Sequence, residues 1–221
     1  MRLKDHRNDS SAKKVIFSDK EFEQLLDCAD TRENPEVEEM TERIAEDRAI
    51  LELGGYAGLR REEIAHARAT SVYTDVHNVR YIEVFGKDTG DQSAEVKKRR
   101  NAYLPDRVAK AIRNVMATKG IRPNDVDDDT EIFDISDEAI RYRIDRISER
   151  MAEETGNSDW EYLSCHDLRR RYAQRHLVEL GTNPRHVMEW GGWSSFRAIE
   201  PYLSEPTEKA MAQELERVGL E

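Results

Sequence analysis

At 221 residues, 38% apolar and 37% charged, the chain has the length of one large domain, and no apolar run approaches the ~20 residues that a membrane span needs. Two cysteines, Cys28 and Cys165, are too few for a disulfide framework, and the polar N-terminus lacks the apolar stretch of a secretory signal; a soluble cytoplasmic protein is expected. A formal net charge of -11 argues against nucleic acid as a partner, but the basic residues cluster at Lys97, Lys98, Arg99 and Arg100 and at Arg169, Arg170 and Arg171 with Arg175, and 25 Arg stand against 10 Lys, a balance suited to bidentate phosphate contacts.

Residues 1–15 are polar and are expected to form a flexible tail. Ser18 with Glu21 reads as a capping box opening a helix, with Phe22, Leu25 and Leu26 on its apolar face. After a polar loop over 31–37, the spacing of Met40, Ile44, Ile50, Leu51 and Leu53 predicts a helix over 38–56. Gly54, Gly55 and Gly58 break it, and a short helix over 61–68 follows. Residues 79–85 and 101–104 read as paired strands, joined by a long loop over 86–100. Pro105 and Asp106 open a helix over 108–116. The acidic run over 125–129 has no glycine at its sixth position and Ser136 where a calcium loop needs a bidentate glutamate, so it reads as a solvated turn. Ser136 caps a helix reaching 154, with Ile140, Ile144, Ile147 and Met151 inward. A helix over 166–180 ends at Gly181, and a short one over 183–189 stops at Gly191 and Gly192. A helix carrying Tyr202 and a charged helix over 208–218 close the chain. The fold class is α+β, mainly α-helical with one small antiparallel sheet, as a single domain over 16–221.

Four clusters stand out: Gly58-Leu59-Arg60-Arg61-Glu62-Glu63, a glycine turn feeding a helix; Gly86-Lys87 at a strand end; His166-Asp167-Leu168-Arg169 at a helix start; and Gly191-Gly192-Trp193 with Tyr202 nine residues on. Each has a bland reading alone: a solvated arginine, a turn lysine, a capping histidine, core aromatics. In this order, however, the set resembles the tyrosine recombinase (phage integrase) family from about Ser18 onward, with Trp193 at a position that relatives fill with His or Trp.

The resemblance implies the DNA breaking-rejoining catalytic-domain fold and a site of Arg60, Lys87, His166, Arg169, Trp193 and Tyr202, supported by Glu63. Tyr202 is then the nucleophile on a DNA phosphodiester, and Arg60 and Arg169 stabilise charge on the non-bridging oxygens. His166 and the Trp193 indole bond the same phosphate, and His166, with an ordinary pKa of ~6.5, can take the tyrosine proton. Lys87 protonates the leaving 5′-oxygen; it is preferred because it directly follows the strand, with Lys97 or Lys98 as alternatives. Neither metal nor cofactor is implied, and His166, His176 and His186, ten residues apart, do not have ligand spacing.

Lys97, Lys98, Arg99, Arg100, Arg170 and Arg171 are the expected DNA contacts. Double-stranded DNA is the expected partner, with a homotetramer assembled on it and the C-terminal helix docking on a neighbour or packing on its own domain. The family's N-terminal DNA-clamping domain is expected to be absent. A non-catalytic DNA-binding regulator and a type IB topoisomerase-like enzyme are the competing functions. The diffuse acidity and the GKDTG wording at Gly86 resemble the archaeal, salt-adapted branch.

Overall fold

The computed structural model describes residues 1–6, 9–30, 37–85, 99–202 and 208–219. Two short strands, β1 (Arg2–His6) and β2 (Asp9–Ile16), open the chain, followed by helices α1 (Asp19–Asp30), α2 (Val37–Tyr56) and α3 (Arg61–Ala65). Strands β3 (Val72–Thr74), β4 (Arg80–Phe85) and β5 (Arg99–Tyr103) form an antiparallel sheet in that order. The rest is helical: α4 (Asp106–Thr118), α5 (Asp137–Thr155), α6 (Cys165–Gln174), α7 (Pro184–Gly191), α8 (Phe196–Ile199) and α9 (Glu208–Val218).

Helix α2 is the axis. It packs against α1, α4, α5 and α6, and Ala49, Ile50, Leu51 and Leu53 on it are fully buried. Its buried acids are paired, as burial of charge demands: Glu46 takes Lys119 at 2.7 Å and Arg143 at 2.6 Å, and Glu52 takes Arg48 at 3.3 Å. Gly54 and Gly55, expected from sequence to break α2, lie inside it instead. A Cβ on Gly55 would stand 2.3 Å from the Phe22 ring, so glycine is what allows α1 to approach.

The N-terminal segment, expected as a tail, forms a hairpin. Arg2 pairs with Ile16 and Leu3 with Val15. Val15 and Phe17 are buried, and Phe17 rests 5.7 Å from both Phe22 and Trp160. The single expected sheet is therefore two, and the larger gains β3, too short to announce itself. In its register Ile82 faces Ala102 and Val84 faces Arg100. Ser136 caps α5 as read, its hydroxyl accepting from Ala139 N at 3.1 Å. The acidic run is a turn, with the Asp127 carboxylate accepting from Asp129 N at 3.1 Å and from the Thr130 hydroxyl at 2.6 Å.

The helix expected over 166–180 is regular only to Gln174. A π-helical turn, Arg175–Glu179, continues it, and beyond it the chain builds a small second cluster. Here Tyr172, Val187 and Ile199 are buried, with Leu177, Met188, Trp193 and Tyr202 packed on them.

Candidate active site

Gly58 begins the site. It has φ +67, and a Cβ there would lie 2.5 Å from the Tyr172 ring, so both the backbone sign and the ring require glycine. The turn places Arg60 at the start of α3. Arg60 N donates to Glu63 Oε2 at 2.7 Å, Arg60 Nη1 to Glu63 Oε1 at 2.8 Å, and Arg60 Nη2 to the carbonyl of Gly192 at 2.9 Å. Its side chain stays 37% exposed while that of Glu63 is 1% exposed, so the carboxylate stands behind and the guanidinium presents an open edge.

Helix α6 supplies the second guanidinium. Its first turn is fixed by Asp167, whose carboxylate accepts from Ser164 N at 3.0 Å and the Ser164 hydroxyl at 2.6 Å. His166 is exposed on this turn, and Arg169, one turn on, is buried. Arg169 Nη1 donates to the Gly58 carbonyl and Nη2 to that of Gly191, while the guanidinium lies 4.0 Å over the Trp193 ring.

The third piece is the end of α7. Gly192, at φ +66, reverses the chain, and Trp193 N bonds back to the Met188 carbonyl at 2.9 Å. The Trp193 ring stacks on Tyr172 with centroids 6.2 Å apart at 10°, and the Tyr202 ring lies tilted against Trp193 with centroids 5.7 Å apart. Tyr202 itself ends the 3₁₀ turn Glu200–Tyr202 and is half-buried.

Arg60, Glu63, Arg169, Trp193 and Tyr202 are thus brought into one cluster from four separated stretches, with His166 on the turn beside it. Lys87, Lys97 and Lys98 lie outside the described residues. Of the arginines expected on DNA, only Arg99 is well exposed, over the Phe85 ring at 5.2 Å. Arg170 is mostly enclosed and paired with Asp167. Arg171 is buried, donating to the Gly55 carbonyl at 2.8 Å and lying 4.0 Å over Phe22 and 4.5 Å over Tyr56; it ties α6 to α1 and α2.

Arg100 is also enclosed, and in a place sequence reading missed: it shares Glu63 with Arg60. Strand alternation could have found it, since Ala102 faces the core and Arg100 is two residues away.

The electrostatics follow from this crowding. Burial alone would raise the Glu63 carboxyl, but Arg100 and then Arg60 outweigh it and hold the group below the usual carboxylate range. Burial, then the charges of Arg60 and Arg100, push Arg169 down to about 9, still a cation at neutral pH. Three guanidiniums face one carboxylate among these four side chains, so an excess of two positive charges is concentrated in a chain whose net charge is -11. Such a cluster attracts an anionic group. Among the described residues no three His, Cys, Asp or Glu side chains gather to hold a metal ion, and no helix is long and apolar enough to cross a membrane.

Residues 16–208 match the phage integrase family. No curated protein matches the sequence. Among solved structures, the Tn1549 transposon integrase in complex with transposon right end DNA shares 17% identity at a TM-score of 0.67, over 96% of this chain and 68% of its own. The XerA recombinase gives 16% and 0.62, over 92% and 62%. The XerH site-specific recombinase, in a post-cleavage complex with palindromic difH substrate, gives 15% and 0.59, over 92% and 51%. The chain therefore spans between half and about two-thirds of the length of these structures, and the likeness is one of fold.

Proposed function

Because the chain belongs to the phage integrase family of tyrosine recombinases, we propose that it is a site-specific DNA recombinase that cuts and rejoins DNA through a 3′-phosphotyrosine on Tyr202. The phenol oxygen attacks phosphorus, the bond to the 5′-oxygen breaks, and a phosphotyrosyl bond takes its place. The phenolic proton passes to His166, and Lys87, or one of Lys97 and Lys98, protonates the departing 5′-oxygen. Because one phosphoester is exchanged for another, a second DNA end can reverse the step without ATP.

The observation that supports this most is the pair of guanidiniums of Arg60 and Arg169, both held by carbonyls of the Gly191–Gly192 turn, with Arg169 over the ring of Trp193, on which Tyr202 packs. Their donors are oriented before any phosphate arrives, which is the condition under which a fixed cation stabilises a transition state. Removing one such donor removes about 3–4 kcal/mol of that stabilisation.

The test is covalent capture. The chain is incubated with a library of duplexes carrying a random core and a nick, so that a cut strand loses its short end and the adduct accumulates. A protein–DNA adduct that vanishes in Tyr202→Phe supports the proposal, and sequencing its DNA gives the target. Binding without an adduct would make the chain a regulator on this fold. Adducts at unrelated sequences, with relaxation of supercoiled plasmid, would make it topoisomerase-like. Among the lysine variants, only the one lacking the general acid should be rescued by a 5′-bridging phosphorothiolate, whose leaving group needs no proton.

The same reading takes double-stranded DNA as the substrate in the cytoplasm and a homotetramer as the assembly upon it, testable by the mass of the complex in sedimentation. Arg60, Arg169, His166 and Trp193 contact phosphate, with Arg99 available at the rim. The acidic composition further supports an archaeal, salt-adapted origin; a protein equally soluble and folded in dilute buffer would refute that part.

A further inference from the structure

The run Lys97, Lys98, Arg99 and Arg100 reads as one solvated basic patch, but strand β5 splits it. The Arg99 side chain is 67% exposed and that of Arg100 is 7% exposed. Within the molecule the Arg100 guanidinium is engaged on two sides. Nε and Nη2 fork onto the two oxygens of Glu63 at 3.1 and 2.5 Å, and Nη1 donates to the carbonyl of Trp190. Its stem lies over Gly192, where an added Cβ would be 2.5 Å from Arg100 Cδ.

Both partners are one step from a candidate phosphate ligand. Glu63 is the carboxylate that takes Arg60, and Trp190 directly precedes Gly191 and Gly192, whose carbonyls take Arg169 and Arg60. We propose, resting on the recombinase reading above, that Arg100 is a positioning residue for strand cleavage, a strut between Glu63 and the 190–192 turn that sets the spacing of Arg60 and Arg169 without touching DNA. With Arg100 satisfying both oxygens of the buried carboxylate, Arg60 is not drawn inward and keeps its open edge. A lysine cannot substitute, since a point charge cannot reproduce a planar fork on Glu63 together with a bond to a carbonyl on the far side.

The test uses the full chain and a nicked duplex selected from the random library by wild-type capture. Arg100→Lys and Arg100→Gln are compared with wild type for thermal unfolding, duplex affinity and single-turnover cleavage. The scissile phosphate is either native or a neutral methylphosphonate, which lessens the charge the arginines must meet. The expected result is a cleavage rate on native phosphate lowered roughly tenfold or more, affinity within about twofold, and a deficit that shrinks to about threefold or less on the methylphosphonate. Loss of affinity in parallel with rate would make Arg100 a DNA contact. An equal deficit on both substrates, or two variants that fail to fold, would make it a structural residue only. Wild-type rates would leave it without a role. Each of these three outcomes overturns the proposal, whereas a wild-type chain that forms no adduct at all strikes the recombinase reading beneath it.

Discussion

A methyl group at residue 191 would stand 1.8 Å from Cζ3 of Trp193, far inside contact distance. The ring has little room to retreat, because Tyr172, fully buried, is stacked behind it. Gly191→Ala must therefore displace Trp193 and, with it, the carbonyl that holds Arg169. Overpacking of this kind destabilises by about 1–3 kcal/mol, and the displaced ring lies between the second guanidinium and Tyr202. Chemical denaturation and single-turnover cleavage should show both losses, with DNA affinity much less affected; a full cleavage rate would mean that the ring and the carbonyl can move without consequence. At this scale the site was legible where chemistry and order combine. Arg60, Glu63, Arg169, Trp193 and Tyr202 were picked out by residue type and succession, and they meet. Arg100 and Arg171 were misplaced because a run of like charge reads as solvated. Strand alternation could have turned Arg100 inward, but the partners that enclose the two, a carboxylate 37 residues before Arg100 and the rings of Phe22 and Tyr56 beneath Arg171, are set by tertiary contact.

The first turn of α6 joins two elements to the site. Asp167 is 1% exposed and accepts from Ser164 N, the Ser164 hydroxyl and Arg170, and from Val15 N of β2 at 3.3 Å. Asp167→Ala leaves those donors without their acceptor at a helix N-terminus, and a loss of about 2–4 kcal/mol in stability is expected. Amide exchange should quicken at residues 164–169 and along β2, and cleavage should fall because His166 and Arg169 ride on the turn. Faster exchange confined to α6 would show that the hairpin is held by its own side chains instead. The hairpin escaped sequence reading for a related reason: DSSAKK has neither β-branched residues nor alternation, and its strand character comes from pairing with Leu3 and Lys4 and from burial of Val15. Gly54 and Gly55 misled in the opposite direction. Their low helix propensity of about 1 kcal/mol each is overridden by Leu168 and Phe22, which need the missing side chains in order to pack on α2.

Acidity acts on the whole molecule in two opposing ways. The net charge of -11 shrinks toward the isoelectric point near 5.2, which relieves self-repulsion and favours the folded state as pH falls. His176, on the π-helical turn, acts against this. Burial, then Arg175 and Arg171, push it down from 6.5 to about 4, and its ring is held by Tyr172 at 4.6 Å and by Thr182 at 3.2 Å from Nδ1. Below about 6.5 the unfolded chain binds a proton there that the folded chain refuses until about 4, so stability is full above that window and is lost across it on acidification. The shift corresponds to an upper limit of about 3 kcal/mol. Salt separates the two effects, because at 1 M the Debye length falls to about 3 Å and mutes long-range repulsion while a buried ring is little screened. Urea unfolding in 1 M KCl should therefore show stability falling between pH 6.5 and 4, more steeply in wild type than in His176→Phe, which keeps the stacked ring but cannot titrate. In dilute buffer the fall should be partly offset by the relieved repulsion. Parallel pH profiles for the two proteins in 1 M KCl would mean that the π-helical turn opens readily enough to admit the proton, and that this segment, next to Trp193 and Tyr202, is far less firmly packed than its buried histidine implies.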